Sequence, residues 1–432
     1  MSEKQTVSTK QKRIAENAQN LPEASFTALA HHIDIAWLRE AQKRVRRDGA
    51  VGIDGVTAEA YEQNLEENLR DLENRMKSGS YQAPPVRRSY VAKNENEKRP
   101  IGIPTYEDKI AQKAIAMVME PVYEQDFHDF SCGFRPGRSQ HMALDRVWQE
   151  IMNMGGGYVV DLDITKFFDT MDQKLLREEV QKRVRDGVII RMIGKWLHAG
   201  VMENEMLTRP KAGSPQGGVI SPLLSNIYLH GVLDSWFEEQ VKPRLRGKAA
   251  MVRFADDAVM MFEFQEDMER VMEVLPKRLE KFGLKLNEQK TQVKEFTKPQ
   301  ETKGRTPETF DFLGFTHYWG RSRKGNWVVK RQTQRERMNR AIKKIALWCR
   351  IHRHDPLREQ QRMLNTKLRG HYSYYGITPN FSSLRLFWEQ VKRIWMKWLN
   401  RRSRNPHLNW HKFNLLLKRY PLERPRIYHS FV

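Results

Sequence analysis

Two adjacent aspartates, Asp256 and Asp257, interrupt an otherwise apolar run from Ala250 to Phe262 (AMVRFADDAVMMF), and no other feature of the chain limits its fold so tightly. The flanking residues are strand material, and two such runs read as a hairpin with its acids at the turn. A second run, Tyr158 to Ile164 (YVVDLDI), carries Asp163 and is followed by Phe167, Phe168 and Asp169. Burying a carboxylate is costly, so acids inside strands are either salt-bridged in a core or gathered around a cation. Clustered carboxylates favour the cation. Two Mg2+ ions would satisfy these charges, and they suit phosphoryl transfer from a nucleoside triphosphate. One ion lowers the pKa of an attacking hydroxyl while the other steadies the leaving pyrophosphate.

A chain of 432 residues that is 39% hydrophobic can bury a substantial core, which points to two or three linked subdomains. No uncharged apolar run reaches about 18 residues, and Met1 to Asn20 is polar with acidic residues, unlike a signal or transit peptide. A soluble, cytoplasmic protein without a membrane partner is expected. Cys132 and Cys349 cannot build a disulfide framework, and no Cys-x-x-Cys pair is present to hold zinc. The net charge of +22 is unevenly placed: residues 1–300 carry 45 Lys+Arg against 45 Asp+Glu, and residues 301–432 carry 30 against 8. That excess is interleaved with Trp327, Trp348, Tyr372, Tyr374, Tyr375, Trp388, Trp395, Trp398 and Trp410. Cations mixed with aromatics favour a nucleic acid over a membrane surface.

Along the chain, residues 57–77 have Leu65, Leu69, Leu72 and Met76 at helical spacing and stop at Ser78-Gly79-Ser80. Ile33 to Arg47 is helical material ending on a basic run, open either to RNA or simply to solvent. Another helix is predicted from Tyr106 to about Tyr123. Between them, VRRSYVAKNENEKRPIGIP alternates and turns as a hairpin. Thr297 to Thr309 reads as a linker. From Gln332 the chain is predicted mostly helical, with a glycine-aromatic interruption at Gly370 to Gly376.

FADD (Phe254 to Asp257) resembles the Y/F-x-D-D box of reverse transcriptases, and DITKFFD (Asp163 to Asp169) resembles their first carboxylate motif. Alone, x-D-D is a weak signal. The ordered set around it is specific: RPIGIPT (Arg99 to Thr105), GFRPGRS (Gly133 to Ser139), GSPQGGVISPLLSNIYL (Gly213 to Leu229), GLKLNEQKT (Gly283 to Thr291) and FDFLGF (Phe310 to Phe315). In order and spacing these resemble bacterial group II intron-encoded reverse transcriptase/maturases over nearly the whole chain. LRGHYSYYGI (Leu368 to Ile377) resembles the family's thumb, or maturase, motif.

The resemblance implies an α+β right-hand polymerase followed by an α-helical thumb/maturase domain. The divisions are an N-terminal helical extension (1–55), fingers and palm (56–300) and a thumb with a basic tail (301–432). It implies that Asp163, Asp256 and Asp257 hold two Mg2+ ions and that Lys290 acts as a catalytic proton donor to pyrophosphate. It also implies that Lys93, Arg99, Phe168 and Gln216 bind the nucleotide, with Phe168 under the sugar. Each has a plainer alternative: a core phenylalanine, a turn glutamine, or surface lysines and arginine. Arg369 and Tyr372 match positions that bind RNA. The implied partners are group II intron RNA or another RNA template, a DNA primer or target DNA, and dNTPs. Phe254 stands where tyrosine is commoner, and Thr165-Lys166 where Lys-Gly is frequent; neither is a metal ligand. The family's optional C-terminal His-Asn-His endonuclease is expected to be absent, since the chain reaches Val432 without its cysteine pairs. The implied function is RNA-directed DNA synthesis, aid to intron splicing and target-primed copying of the intron. A splicing-only maturase, or a polymerase in CRISPR-associated or phage-defence service, shares these motifs.

Overall fold

The computed structural model describes residues 6–92, 98–203, 206–208, 217–299, 308–403 and 408–430. The chain divides into two compact units. The first comprises residues 1–143, 162–260 and 264–292; the second comprises residues 144–161, 261–263 and 293–432.

In the first unit the helix Tyr106–Tyr123 is buried along most of its length, because its sequence is apolar on nearly every face. Its N-terminus is capped by the Thr105 hydroxyl, which accepts from the Asp108 amide at 3.2 Å. The helices Val7–Asn20 and Ile35–Arg44 pack on it. Trp37 there is fully buried and donates from Nε1 to the Ala114 carbonyl at 3.0 Å. In the basic run closing that second helix, Arg44 pairs with Glu40, Arg46 with Asp48 and Arg47 with Glu62, all on the surface.

The single helix expected over residues 57–77 is two helices, Ala58–Glu62 and Leu65–Ser78. The Tyr61 carbonyl, which a continuous helix would satisfy with its own backbone, instead accepts from the Asn68 side chain at 2.9 Å. The expected stop holds, with Gly79 in the left-handed region at φ 85°.

Strands β1 (Val86–Ala92) and β2 (Lys98–Ile103) form the antiparallel hairpin read from the sequence, in register from Arg87 opposite Ile103 to Ala92 opposite Lys98. Strand β3 (Tyr158–Leu162) follows. Strands β4 (Val201–Glu203) and β5 (Met206–Thr208) then extend the hairpin into a sheet of order β2-β1-β4-β5. Strands β6 (Ala249–Phe254) and β7 (Asp257–Phe262) flank the aspartate turn, and with β8 (Gln292–Glu295) they complete a second sheet of order β6-β7-β3-β8. The inward residues of β6 and β7 are buried almost without exception, as expected of runs this apolar.

In the second unit the region predicted mostly helical from Gln332 is helical from Arg335 on, and it is preceded by a sheet of β9 (Phe310–Phe312), β10 (Phe315–Arg321) and β11 (Trp327–Thr333) in the order β11-β10-β9. Strands β10 and β11 bury alternate residues, among them Phe315, His317, Trp319, Val329 and Arg331. Helices Arg335–Ile351, Leu357–Tyr375 and Phe381–Leu399 then close a core around Leu364, Leu368, Tyr372, Phe387 and Trp395. The interruption expected from Gly370 is confined to its far end. Helix Leu357–Tyr375 runs through Gly370 and stops at Gly376, where an added Cβ would lie 2.3 Å from the Tyr372 carbonyl oxygen. Among the described residues no helix is long and apolar enough to cross a membrane, and both cysteines are buried and outside any disulfide.

Candidate active site

The aspartate turn owes its shape to a backbone conformation that non-glycine residues rarely take. Ala255, between Phe254 and Asp256, sits at φ 59°. Three neighbours hold it there. Gly133 backs onto the turn so closely that a Cβ would lie 2.1 Å from the Ala255 nitrogen, which explains the glycine of GFRPGRS. The strand carrying it is tied down by hydrogen bonds from the Cys132 amide to the Arg253 carbonyl (2.8 Å) and from the Arg253 amide to the Phe130 carbonyl (3.0 Å). The Arg253 guanidinium, fully buried, donates to the Ala255 carbonyl at 2.9 Å.

Asp163 reaches the same place from β3. A Cβ on Gly157, just before β3, would lie 2.1 Å from the Phe262 carbonyl oxygen and 3.2 Å from Glu263 Cα. The start of β3 therefore meets the end of β7 and the pair runs antiparallel. Counting up one strand and down the other brings Asp163 level with Asp256 and Asp257. On the far side of Asp163, the Asn287 amide donates to its carbonyl at 2.8 Å, and its own amide donates to the Thr291 hydroxyl at 3.4 Å. The NEQKT turn thus clamps the Asp163 backbone, and Lys290, exposed, closes that turn with its amide on the Asn287 carbonyl at 3.1 Å.

Asp163 and Asp256 are half-buried and Asp257 is exposed. Among the described residues no three His, Cys, Asp or Glu side chains form a group able to hold a metal by themselves. The donor set instead suits Mg2+ carried in with substrate, since that ion keeps several waters and takes one or two carboxylates together with substrate phosphates.

The two phenylalanines after Asp163 separate. Phe167 is buried, and Phe168 is half-exposed with its ring edge-on to Phe167 at 5.2 Å. Phe168 is therefore not a plain core residue. Arg99 is exposed on β2, opposite Val91. In the same strand Gly102 receives the turn at Gly217, which at φ 113° would place a Cβ 2.6 Å from the Gly102 carbonyl oxygen. That turn is also anchored from below. The Ile220 amide donates to Gln112, and Gln112 donates to Asp108, at 3.3 and 3.0 Å. Burial raises the Asp108 carboxyl to about 6 against the pull of hydrogen bonds from Tyr81, Trp196 and Gln112. Lys93 and Gln216 lie outside the described residues.

In the second unit Arg369 is exposed, with its guanidinium on Glu423 at 3.3 Å. Tyr372 requires a correction. It is 1% exposed, its ring lies in the core and its hydroxyl donates to the Glu423 carbonyl at 3.2 Å, so it packs the helix and has no face for RNA. The same holds for much of the aromatic signal: Trp395 is fully buried, and Trp388 and Trp398 are partly buried against the same core. The cations are outside. Arg335, Arg337, Lys343, Lys344, Arg358 and Arg362 are exposed on two successive helices.

Sequence reasoning missed Arg253, Asp234, Asn226, Asn287 and Thr291. All five lie in or beside the recognised motifs, and only their contacts show what they do.

An acidic turn held level with a third carboxylate suits a template-directed nucleotidyltransferase. The model of the family described as reverse transcriptase (RNA-dependent DNA polymerase) matches residues 91–317. Protein YkfC of Escherichia coli is 33% identical over 80% of this chain and 97% of its own length. The group II intron-encoded protein LtrA of Lactococcus lactis is 28% identical over 87% of this chain and 74% of its own. Nuclear intron maturase 2 of Arabidopsis thaliana is 29% identical over 32% of this chain and 24% of its own. The chain belongs to the reverse transcriptase family: it is an RNA-directed DNA polymerase of the group II intron-encoded, maturase-related kind.

Proposed function

We propose that this protein copies RNA into DNA at a site of Asp163, Asp256 and Asp257, binds a group II intron RNA whose splicing it assists, and copies that intron by target-primed synthesis. The observation that carries the reading is the antiparallel pairing of β3 and β7, which supports bringing the three aspartates to one end of one sheet. In this reading the first unit serves as fingers and palm, and the helices of the second as the thumb. The primer 3′-hydroxyl gives up its proton to solvent, its oxygen bonds to the α-phosphorus of the dNTP, the bond from that phosphorus to the oxygen bridging the β-phosphate breaks, and pyrophosphate leaves. Two Mg2+ ions, when bound, supply Lewis acidity to the attacking and leaving oxygens. The three carboxylates hold and space that cluster. Arg99, with Lys93, grips the triphosphate by charge-assisted hydrogen bonds. Gln216 lines the nucleotide turn, and Phe168 sits under the sugar where a 2′-hydroxyl would collide. Lys290 passes a proton to the departing pyrophosphate. The exposed cations of the second unit, Arg369 among them, meet intron or template phosphates. LtrA is an intron-encoded protein, and its similarity over most of this chain supports an intron RNA as partner.

Primer extension tests the enzymatic half. Full-length protein with an RNA template, a DNA primer, dNTPs and Mg2+ is expected to lengthen the primer and to stop when the metal is chelated. Folded, RNA-binding protein that adds no nucleotide under these conditions overturns the reading.

A further inference from the structure

We infer that Arg253 is the positioning residue of the aspartate turn: it fixes the Ala255 peptide in the left-handed conformation that aims Asp256 and Asp257 at their metal. The inference rests on the assignment of those aspartates as metal ligands.

Arg253 is the penultimate residue of the apolar strand β6, just before the turn, and is fully buried. Such a charge is tolerated only when paired and hydrogen-bonded. Asp234, equally buried, supplies the pairing from the helical segment after SNIYL, accepting from Nε at 2.7 Å and also from Nη2. A buried ion pair alone contributes little stability, because desolvation offsets the attraction. The remaining nitrogen does something the pair does not need. Nη1 donates to the Asn226 side-chain oxygen at 3.0 Å and to the Ala255 carbonyl at 2.9 Å. Asn226 in turn donates to the Gly133 carbonyl at 2.7 Å, and Gly133 is the residue packed against the Ala255 nitrogen. The guanidinium therefore ties both sides of the turn to one rigid plane. Left alone, a non-glycine residue at φ 59° is strained and relaxes toward common conformations, which would swing the following carboxylates. Lysine cannot substitute, since one ammonium lacks the planar fork that reaches Asp234, Asn226 and Ala255 together.

Three variants of the full-length protein test this: Arg253→Lys, Arg253→Lys with Ala255→Gly, and the apolar pair Arg253→Met with Asp234→Leu, a type of exchange that often preserves stability. The readouts are thermal unfolding, the Mg2+ dependence of primer extension, and Mn2+ binding by electron paramagnetic resonance. Arg253→Lys is expected to fold, to need about tenfold more Mg2+ for half-maximal rate and to bind Mn2+ correspondingly more weakly, about one hydrogen bond to a charged group. Ala255→Gly is expected to restore much of both, because glycine adopts φ 59° unaided. Unchanged metal dependence in Arg253→Lys overturns the inference, as does a loss that Ala255→Gly fails to relieve. If Arg253→Lys does not fold, the apolar pair decides: weakened Mn2+ binding by folded protein supports the inference and normal binding overturns it. Asp256→Asn separates the two levels of the argument. If that protein binds Mn2+ as the wild type does, the metal assignment falls and takes the positioning role with it.

Discussion

Phe167 and Phe168 are neighbours of identical chemistry, and the fold gives them opposite surroundings. Phe167 points into the core beside Tyr228, with ring centroids 6.4 Å apart, whereas Phe168 keeps part of its ring exposed. The difference arises because Lys166, at φ 44°, turns the chain sharply after β3, so the short helix Phe167–Thr170 starts with only one of the two rings facing inward. If Phe168 excludes a 2′-hydroxyl, Phe168→Val should admit ribonucleotides and lower the dNTP preference by at least about tenfold, roughly 1.4 kcal/mol of discrimination. Competing single dNTP and rNTP additions on one primer-template measures this, and unchanged discrimination removes Phe168 from the gate. At this scale the sequence was legible wherever a residue's role follows from its neighbours in the chain. The aspartates were visible because acids inside apolar strands demand a reason. Arg253 was not, since a cation three residues before Asp256 looks the same whether it points at solvent or at Asp234. Tyr372 was misread for the mirror-image reason: an aromatic beside arginines gives one signal for a nucleic-acid face and for a core helix.

Helix Leu357–Tyr375 carries that ambiguity into an element. Its inward row, Leu364, Leu368 and Tyr372, follows a helical period and packs the core, while Arg358, Arg362 and Arg369 face outward. Two substitutions on it should separate cleanly. Tyr372→Phe removes only the hydroxyl bond to the Glu423 carbonyl, so it should cost about 1 kcal/mol of stability and leave RNA affinity unchanged. Arg369→Ala should leave unfolding within about 0.5 kcal/mol of wild type, as for most surface positions, yet weaken RNA binding. Denaturant unfolding and filter-binding titrations on both proteins check this, and the reverse pattern would return Tyr372 to the RNA surface. Elements with a single strong period, such as Tyr106–Tyr123 and the β1/β2 hairpin, were readable from the sequence. The sheet β9-β10-β11 was not, although FTHYWGR alternates. A sheet that buries His317 on β10 and Arg331 on β11 has no clean apolar alternation to reveal it.

Across the whole molecule, the net charge and the proposed chemistry fall on different residues. All of the net +22 lies in residues 301–432, whereas the three aspartates lie in residues 162–260, within the first unit. RNA affinity that rests on released counterions should therefore be indifferent to the loss of two carboxylates, while nucleotide addition should not survive it. The direct test is Asp256→Asn combined with Asp257→Asn in full-length protein, assayed in one buffer for primer extension, intron RNA affinity and assisted splicing. The expected result is loss of cDNA synthesis, with RNA binding equal to or slightly tighter than wild type and splicing retained. Folded variant protein that still synthesises cDNA, or that loses splicing in step with synthesis, would contradict the assignment of polymerisation to these aspartates and of RNA binding to the basic residues elsewhere.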